Sequence, residues 1–163
     1  MPPKNIVITG SRGLAAGLAR ALPNSRIFLI GGLEEESSAL AAELNQIVGY
    51  QAIDIRDENA IIDAFKKARN ALGQITDVVG IVGGSGRSFG DGPIDSVSKA
   101  AWDDTLELNL TTAFLTAREG IKHIESNGSI TLTSSVLAQS PSPRYFQTHA
   151  YAVAKAGING LVT

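Results

Sequence analysis

The chain has 163 residues, with 14 Lys and Arg against 16 Asp and Glu for a net charge of -2, 44% hydrophobic residues, 17 Gly and no Cys. One domain spanning 1–163 is expected at this length, and the apolar share is too high for disorder. The lack of cysteine excludes disulfide scaffolds, thiolate catalysis and Cys-ligated metals; His123 and His149 leave little for a His-based metal centre, so no metal site is expected.

A sequence pI of about 5.6 makes nucleic acid and anionic membrane poor partners. No apolar run approaches the ~18 residues of a spanning helix, and the opening residues lead into a strand pattern rather than a secretory signal. A cytoplasmic setting is the expectation.

Asn5–Thr9 is a short, continuous, β-branched run, as a strand buried on both faces requires. After Gly10-Ser11-Arg12-Gly13, residues Leu14, Ala15, Leu18, Ala19 and Leu22 recur at helical spacing until Pro23. Arg26–Ile30 reads as a second strand ended by Gly31-Gly32, and a helical pattern runs from Glu34 through Leu40 to Leu44. Val48–Ile53 is a third strand, Asp57–Leu72 a helix with Ile61, Ile62, Phe65, Ala68 and Leu72 on one stripe, and Ile75–Val82 a fourth strand.

A glycine-rich loop, Gly83–Pro93, precedes a long amphipathic helix marked by Trp102, Leu106, Leu110, Phe114, Ala117, Ile121 and Ile124. Ser129–Ser135 is a fifth strand, Val136–Gln147 a loop rich in Pro and Ser, and Ala150 onward a helix that runs to the end. Strict βα alternation needs right-handed crossovers, which build a doubly wound parallel α/β sheet, the Rossmann fold, with about five strands.

In such a sheet the first βα turn is the usual phosphate site. Gly10 permits a sharp turn, Gly13 lets a pyrophosphate approach the main chain, and the next helix offers free amides and a positive dipole end. The turn Gly10, Ser11, Arg12, Gly13 and Leu14 is therefore a candidate dinucleotide cradle; a merely glycine-rich turn is the alternative. Asp54, beside Ile55 after the third strand, stands open between accepting a hydrogen bond from an adenine amine and capping the next helix, a task for which Asp57 is better placed.

Four segments in order resemble the short-chain dehydrogenase/reductase family: the glycine turn, Asp54, Leu108-Asn109-Leu110, and Gly128–Ser135 followed by Tyr151-Ala152-Val153-Ala154-Lys155. A Tyr-x-x-x-Lys match alone arises by chance in about one chain in nine at this composition, so its weight comes from the preceding strand and Ser134-Ser135. Four residues apart on a helix, Tyr151 and Lys155 share a face. A free phenol titrates near 10 while acid/base catalysis favours about 7, and one ammonium about 4 Å away supplies the ~4 kcal/mol needed.

The resemblance implies an oxidoreductase moving hydride between a nicotinamide coenzyme and a small carbonyl or secondary alcohol. It makes Tyr151 the acid/base, Lys155 its partner and a ribose ligand, Ser135 a substrate ligand, and Asn109 the holder of a water linked to Lys155. The bland alternatives are a strand-end serine bonded to nearby backbone and a surface Tyr–Lys pair. Gly10, Ser11, Arg12, Gly13, Leu14, Asp54, Ile55, Tyr151 and Lys155 are the implied coenzyme contacts.

No acid follows the second strand before Glu34, and Arg12 resembles the basic residue of NADP-preferring members, so NADP is the expected coenzyme and NAD the alternative. Glu34–Glu36 would oppose a 2′-phosphate if close. A homodimer or homotetramer through the long fourth and fifth helices is also implied.

Three departures stand out: Ala15 at the third-glycine place of a turn one residue short, Gly80–Gly83 where the family has an Asn-Asn-Ala-Gly type segment, and a long loop with Pro141, Pro143 and Tyr145. The family also continues into sixth and seventh strands. The chain is then expected to be either a fragment or a natural short form, with a non-catalytic nucleotide-binding module or an assembly piece as further alternatives.

Overall fold

The structure, a computed structural model, describes residues 3–140 and 144–162. Along the chain run β1 (Asn5–Thr9), α1 (Leu14–Ala21), β2 (Arg26–Gly31), α2 (Glu34–Glu43), β3 (Ile47–Ala52), α3 (Glu58–Leu72) and β4 (Ile75–Gly80). They are followed by α4 (Lys99–Leu106), a π-helical stretch (Glu107–Thr111), α5 (Thr112–His123), β5 (Ile124–Leu132) and α6 (His149–Asn159). Short 3-10 turns occupy Arg87–Phe89 and Val136–Ala138. Among the described residues, no helix is long and apolar enough to cross a membrane.

The chain forms two compact units, one reaching Ile81 and resuming over Leu115–Leu132, the other comprising Val82–Phe114 and the segment from Thr133 on. The first unit holds a five-stranded parallel sheet in the order β3-β2-β1-β4-β5. Alternate strand residues point to opposite faces. Ile6, Ile8, Ile27 and Leu29 form one core layer with Ala15, Ala16 and Ala19 of α1 and Leu40 of α2. On α3 the expected stripe residues Ile61, Phe65, Ala68 and Leu72 are buried, but Ala64 joins them in place of Ile62, which is only half-buried. Strand order reverses between β1 and β4, which makes the ends of these strands the ligand-binding end of a doubly wound sheet.

Several boundaries differ from the sequence reading. β3 is shifted by one residue, and β4 stops at Gly80 because its ladder with β1 ends at the Thr9–Gly80 pair, where the Ile81 amide donates to Thr9 Oγ1 at 3.1 Å. β5 runs over Ile124–Leu132 rather than Ser129–Ser135, since its ladder with β4 ends where Leu132 faces Gly80, the last residue of β4. Ile124 belongs to this strand, so the preceding helix ends at His123.

In the second unit α6 starts at His149 and ends at Asn159 with Gly160 as cap, rather than running on to the end of the chain. Pro141 and Pro143 lie outside the described residues.

Candidate functional site

The first unit places the glycine turn at the end of β1. Gly10 has φ 112° and its amide donates to Ile30 O at 2.8 Å, turning the chain out of the sheet. Gly13 has φ 54°, and a Cβ there would meet nothing within 4 Å, so open space lies against the backbone. Gly13 caps α1 without a side-chain hydrogen bond. The first-turn amides of a helix lack intrahelical partners, and here no cap side chain takes them. Ala15, at the third-glycine place, is fully buried and Leu14 is exposed.

Ser11 is buried, and its Oγ donates to Glu36 Oε2 at 3.4 Å; Arg12 Nη1 donates to Glu36 Oε1 at 3.3 Å. Glu36 therefore reaches the turn from the first helical turn of α2, where the exposed Arg12 pairs with its carboxylate. Gly31 makes this approach possible: a Cβ there would collide with Ser37 Oγ and lie 2.9 Å from Ser11 Oγ. Of the acidic run Glu34–Glu36 after β2, α2 folds Glu36 back against the turn.

Asp57 is the N-cap of α3, accepting from the amides of Asn59 and Ala60. Asp54 is exposed and accepts from the Arg56 amide and guanidinium at 2.7–3.0 Å. The side-chain hydrogen bond from Arg56 holds its carboxyl below the ordinary aspartate value. Ile55 is buried.

The second unit holds Asn109, Ser135, Tyr151 and Lys155. Asn109 is fully buried within the π-helical stretch. Its Nδ2 donates to Gly84 O and Thr105 O, both at 2.9 Å, while Oδ1 accepts from the Gly84 amide at 3.1 Å. Thr105 O is the carbonyl that an α-helical turn would offer to the amide of residue 109, so the side chain supports the wide turn.

Lys155 is 3% exposed, and its Nζ donates to Thr133 O at 2.8 Å. Burial pushes the ammonium down from 10.5 to about 8, leaving it mostly charged at neutral pH. The ammonium lies 5.7 Å from the ring centroid of Tyr151, within cation–π range. A Cβ on Gly83 would lie 2.6 Å from Asn109 Oδ1 and 3.2 Å from Lys155 Nζ, so both groups converge on the backbone of Gly83. Ser134 Oγ donates to Lys155 O at 2.9 Å, tying α6 to the segment after β5.

Ser135 follows that segment, outside the strand, and its Oγ accepts from the Leu137 amide at 3.2 Å. That local bond matches the bland reading of a serine held by nearby backbone. Tyr145 is exposed beneath the Arg144 guanidinium, 5.8 Å from the ring centroid. Asp91 is the functional candidate that the sequence reading missed. It is buried, and its carboxylate accepts from the amides of Ala150 and Tyr151.

The family model of the short chain dehydrogenases matches residues 4–163. A protein of Mycolicibacterium smegmatis designated a short-chain type dehydrogenase/reductase is 32% identical over 130 residues, which is 78% of this chain and 44% of that protein. A carveol dehydrogenase from Mycobacterium avium, solved with NAD, has a TM-score of 0.81 at 26% identity, covering 96% of this chain and 62% of its own. A short chain dehydrogenase from Burkholderia cenocepacia, solved with NADP, shares the fold with a TM-score of 0.85 at 23% identity, covering 99% and 67%. The chain spans 44–63% of the length of the curated relatives it matches.

Proposed function

The chain belongs to the short chain dehydrogenase family, and on that premise we propose that it is an oxidoreductase acting on a carbonyl or secondary alcohol with a nicotinamide dinucleotide. The observation that carries this reading is the Tyr151–Lys155 pair on one face of α6, with the ammonium buried and its pKa lowered to about 8. Alcohol and carbonyl interconversion needs a proton donor and acceptor beside the reacting oxygen.

The open backbone at Gly13 and the uncapped start of α1 fit a pyrophosphate, held by Gly10, Ser11, Gly13 and the first amides of α1 near Leu14. Asp54 and Ile55 serve the adenine, with the Arg56 guanidinium beside them. When bound, the nicotinamide supplies or accepts the hydride.

The side chains move the proton. In the reducing direction Tyr151 Oη gives its proton to the carbonyl oxygen as that oxygen gains charge, and the phenolate recovers a proton by way of Lys155. Lys155 also holds the nicotinamide ribose, Ser135 orients the substrate oxygen, and Asn109 holds the glycine loop and the water that links Lys155 to solvent. In oxidation the proton moves the other way.

NADP is the finer assignment, resting on Arg12 beside the phosphate turn; the Arg12–Glu36 pair is the specific observation that favours NAD instead. The exposed Ile121 of α5 suits contact with a second copy of the chain, and a cysteine-free chain suits a reducing cytoplasm.

Binding of NADH and NADPH to the purified chain, followed by turnover over a panel of ketones and secondary alcohols, tests the reading. Tyr151→Phe should lose turnover while retaining coenzyme. Turnover that survives this change refutes the proton role, and coenzyme binding without any turnover supports a binding module instead.

A further inference from the structure

The helix that carries Tyr151 does not cap itself. Thr148 stands at its N-cap position with no side-chain hydrogen bond to the helix. The second and third helical amides, those of Ala150 and Tyr151, donate instead to Asp91 Oδ1 at 3.1 Å and Oδ2 at 3.0 Å. An N-cap side chain normally supplies one such oxygen from the adjoining residue. Here a carboxylate some 60 positions earlier supplies two, at the end of the helix where a negative charge is favoured.

The loop bearing Asp91 is fixed for this task. Gly86 adopts φ 75°, and a Cβ there would collide with Thr105 Oγ1 and lie 2.9 Å from Asp91 Cβ. The Asp91 amide donates to Gly86 O at 3.0 Å, closing the loop behind the carboxylate. Two further contacts join the same loop to the start of α6 and to the residues leading into it: His149 Nδ1 lies 2.9 Å from Gly92 O, and Arg87 Nη2 donates to Phe146 O at 2.9 Å.

We propose that Asp91 is a positioning residue for the proton-transfer pair: its two oxygens set where α6 begins, and through the backbone of Tyr151 they fix the phenol and, one turn on, Lys155. The proposal rests on the reading of Tyr151 as the proton donor. Asp91 acts through these amides, so its loss should impair the chemical step more than binding, because a misplacement near 1 Å costs about a hundredfold in rate.

The test compares Asp91→Ala, Asp91→Asn and Tyr151→Phe in the whole chain by amide hydrogen exchange, coenzyme titration and turnover of secondary alcohols with NAD and NADP. In Asp91→Ala the amides of 150 and 151 should exchange about tenfold faster or more while the β1–β4 amides keep their parental rates. In that variant kcat should fall about tenfold or more, with alcohol KM and coenzyme Kd within about twofold of the parent. Asp91→Asn keeps one acceptor oxygen and should recover most of kcat. If Asp91→Ala fails to fold, Asp91→Asn decides by losing protection at one of the two amides.

Parental exchange at 150 and 151 in Asp91→Ala overturns the proposal, as does a raised KM with kcat unchanged. Turnover that survives Tyr151→Phe refutes the Tyr151 reading separately, and the exchange rates still decide whether Asp91 holds α6.

Discussion

Replacing Lys155 by methionine should stabilise the coenzyme-free chain near neutral pH. Burial lowers the ammonium from 10.5 to about 8 in the folded chain. At 1.36 kcal/mol per pH unit that gap is a cost of roughly 3 kcal/mol wherever the group is charged in both states. Methionine has similar reach and no charge, but leaves Thr133 O without its Nζ donor, a loss of about 1 kcal/mol. The net gain is about 2 kcal/mol near pH 7.

The sign follows from proton binding. Below about pH 8 folded and unfolded chains are both protonated and the full cost is present. Between about 8 and 10.5 the folded chain releases the proton first, so parental stability rises with pH relative to the variant. Above that window only the hydrogen bond remains, and the parent should be the more stable by about 1 kcal/mol.

Urea unfolding at several pH values, followed by Trp102 fluorescence and circular dichroism, gives the difference directly. A methionine variant that is less stable near pH 7, or a difference that stays constant up to pH 10, refutes the reasoning.

Glu36→Gln should free Arg12 from an exposed pair that contributes about 0.2–1 kcal/mol, lowering the NADP Kd up to about fivefold. Titration of both coenzymes checks it, and a weaker NADP complex counts against the assignment. Asp57→Ala removes the cap of α3 and should cost about 1 kcal/mol, read as a fall of about 3 °C in Tm. Gly31→Ala forces a methyl into Ser37 and Ser11 and should cost about 1–3 kcal/mol and weaken coenzyme binding. Gly32→Ala, with nothing within 4 Å of its added carbon, is the control in the same melts and titrations and should stay near the parent.

Elements whose burial follows a period were legible in the sequence. β1 matches the reading residue for residue, and α3 buries four of the five expected stripe residues, Ile62 excepted, because short-range spacing determines both. The end of β5 was not legible. It depends on where the distant strand β4 stops, at Gly80, whereas Thr131-Leu132-Thr133 reads as strand throughout and local propensity carries no record of its partner.

The placing of Tyr151 and Lys155 on one face came from the helical period. Asp91, and the closeness of Glu36 to the turn, were hidden for a different reason. Asp91 lies in a Gly-Asp-Gly-Pro run that reads as an ordinary turn, and only the folded loop brings it to α6. Glu36 lies in an acidic first turn that the helix dipole already accounts for.

The π-helical stretch at Glu107–Thr111 carries one residue more than an α-helix would use over the same path. Each residue advances a helix by about 100°, so removing one residue before Asn109 would turn its side chain by about that angle relative to α4. Such a deletion would restore regular phase and tighten the local bonds, yet it would rotate Asn109 away from Gly84. The length of this stretch is thus tied to the glycine loop, and a deletion tolerated in most surface helices would here release that loop from its buried asparagine.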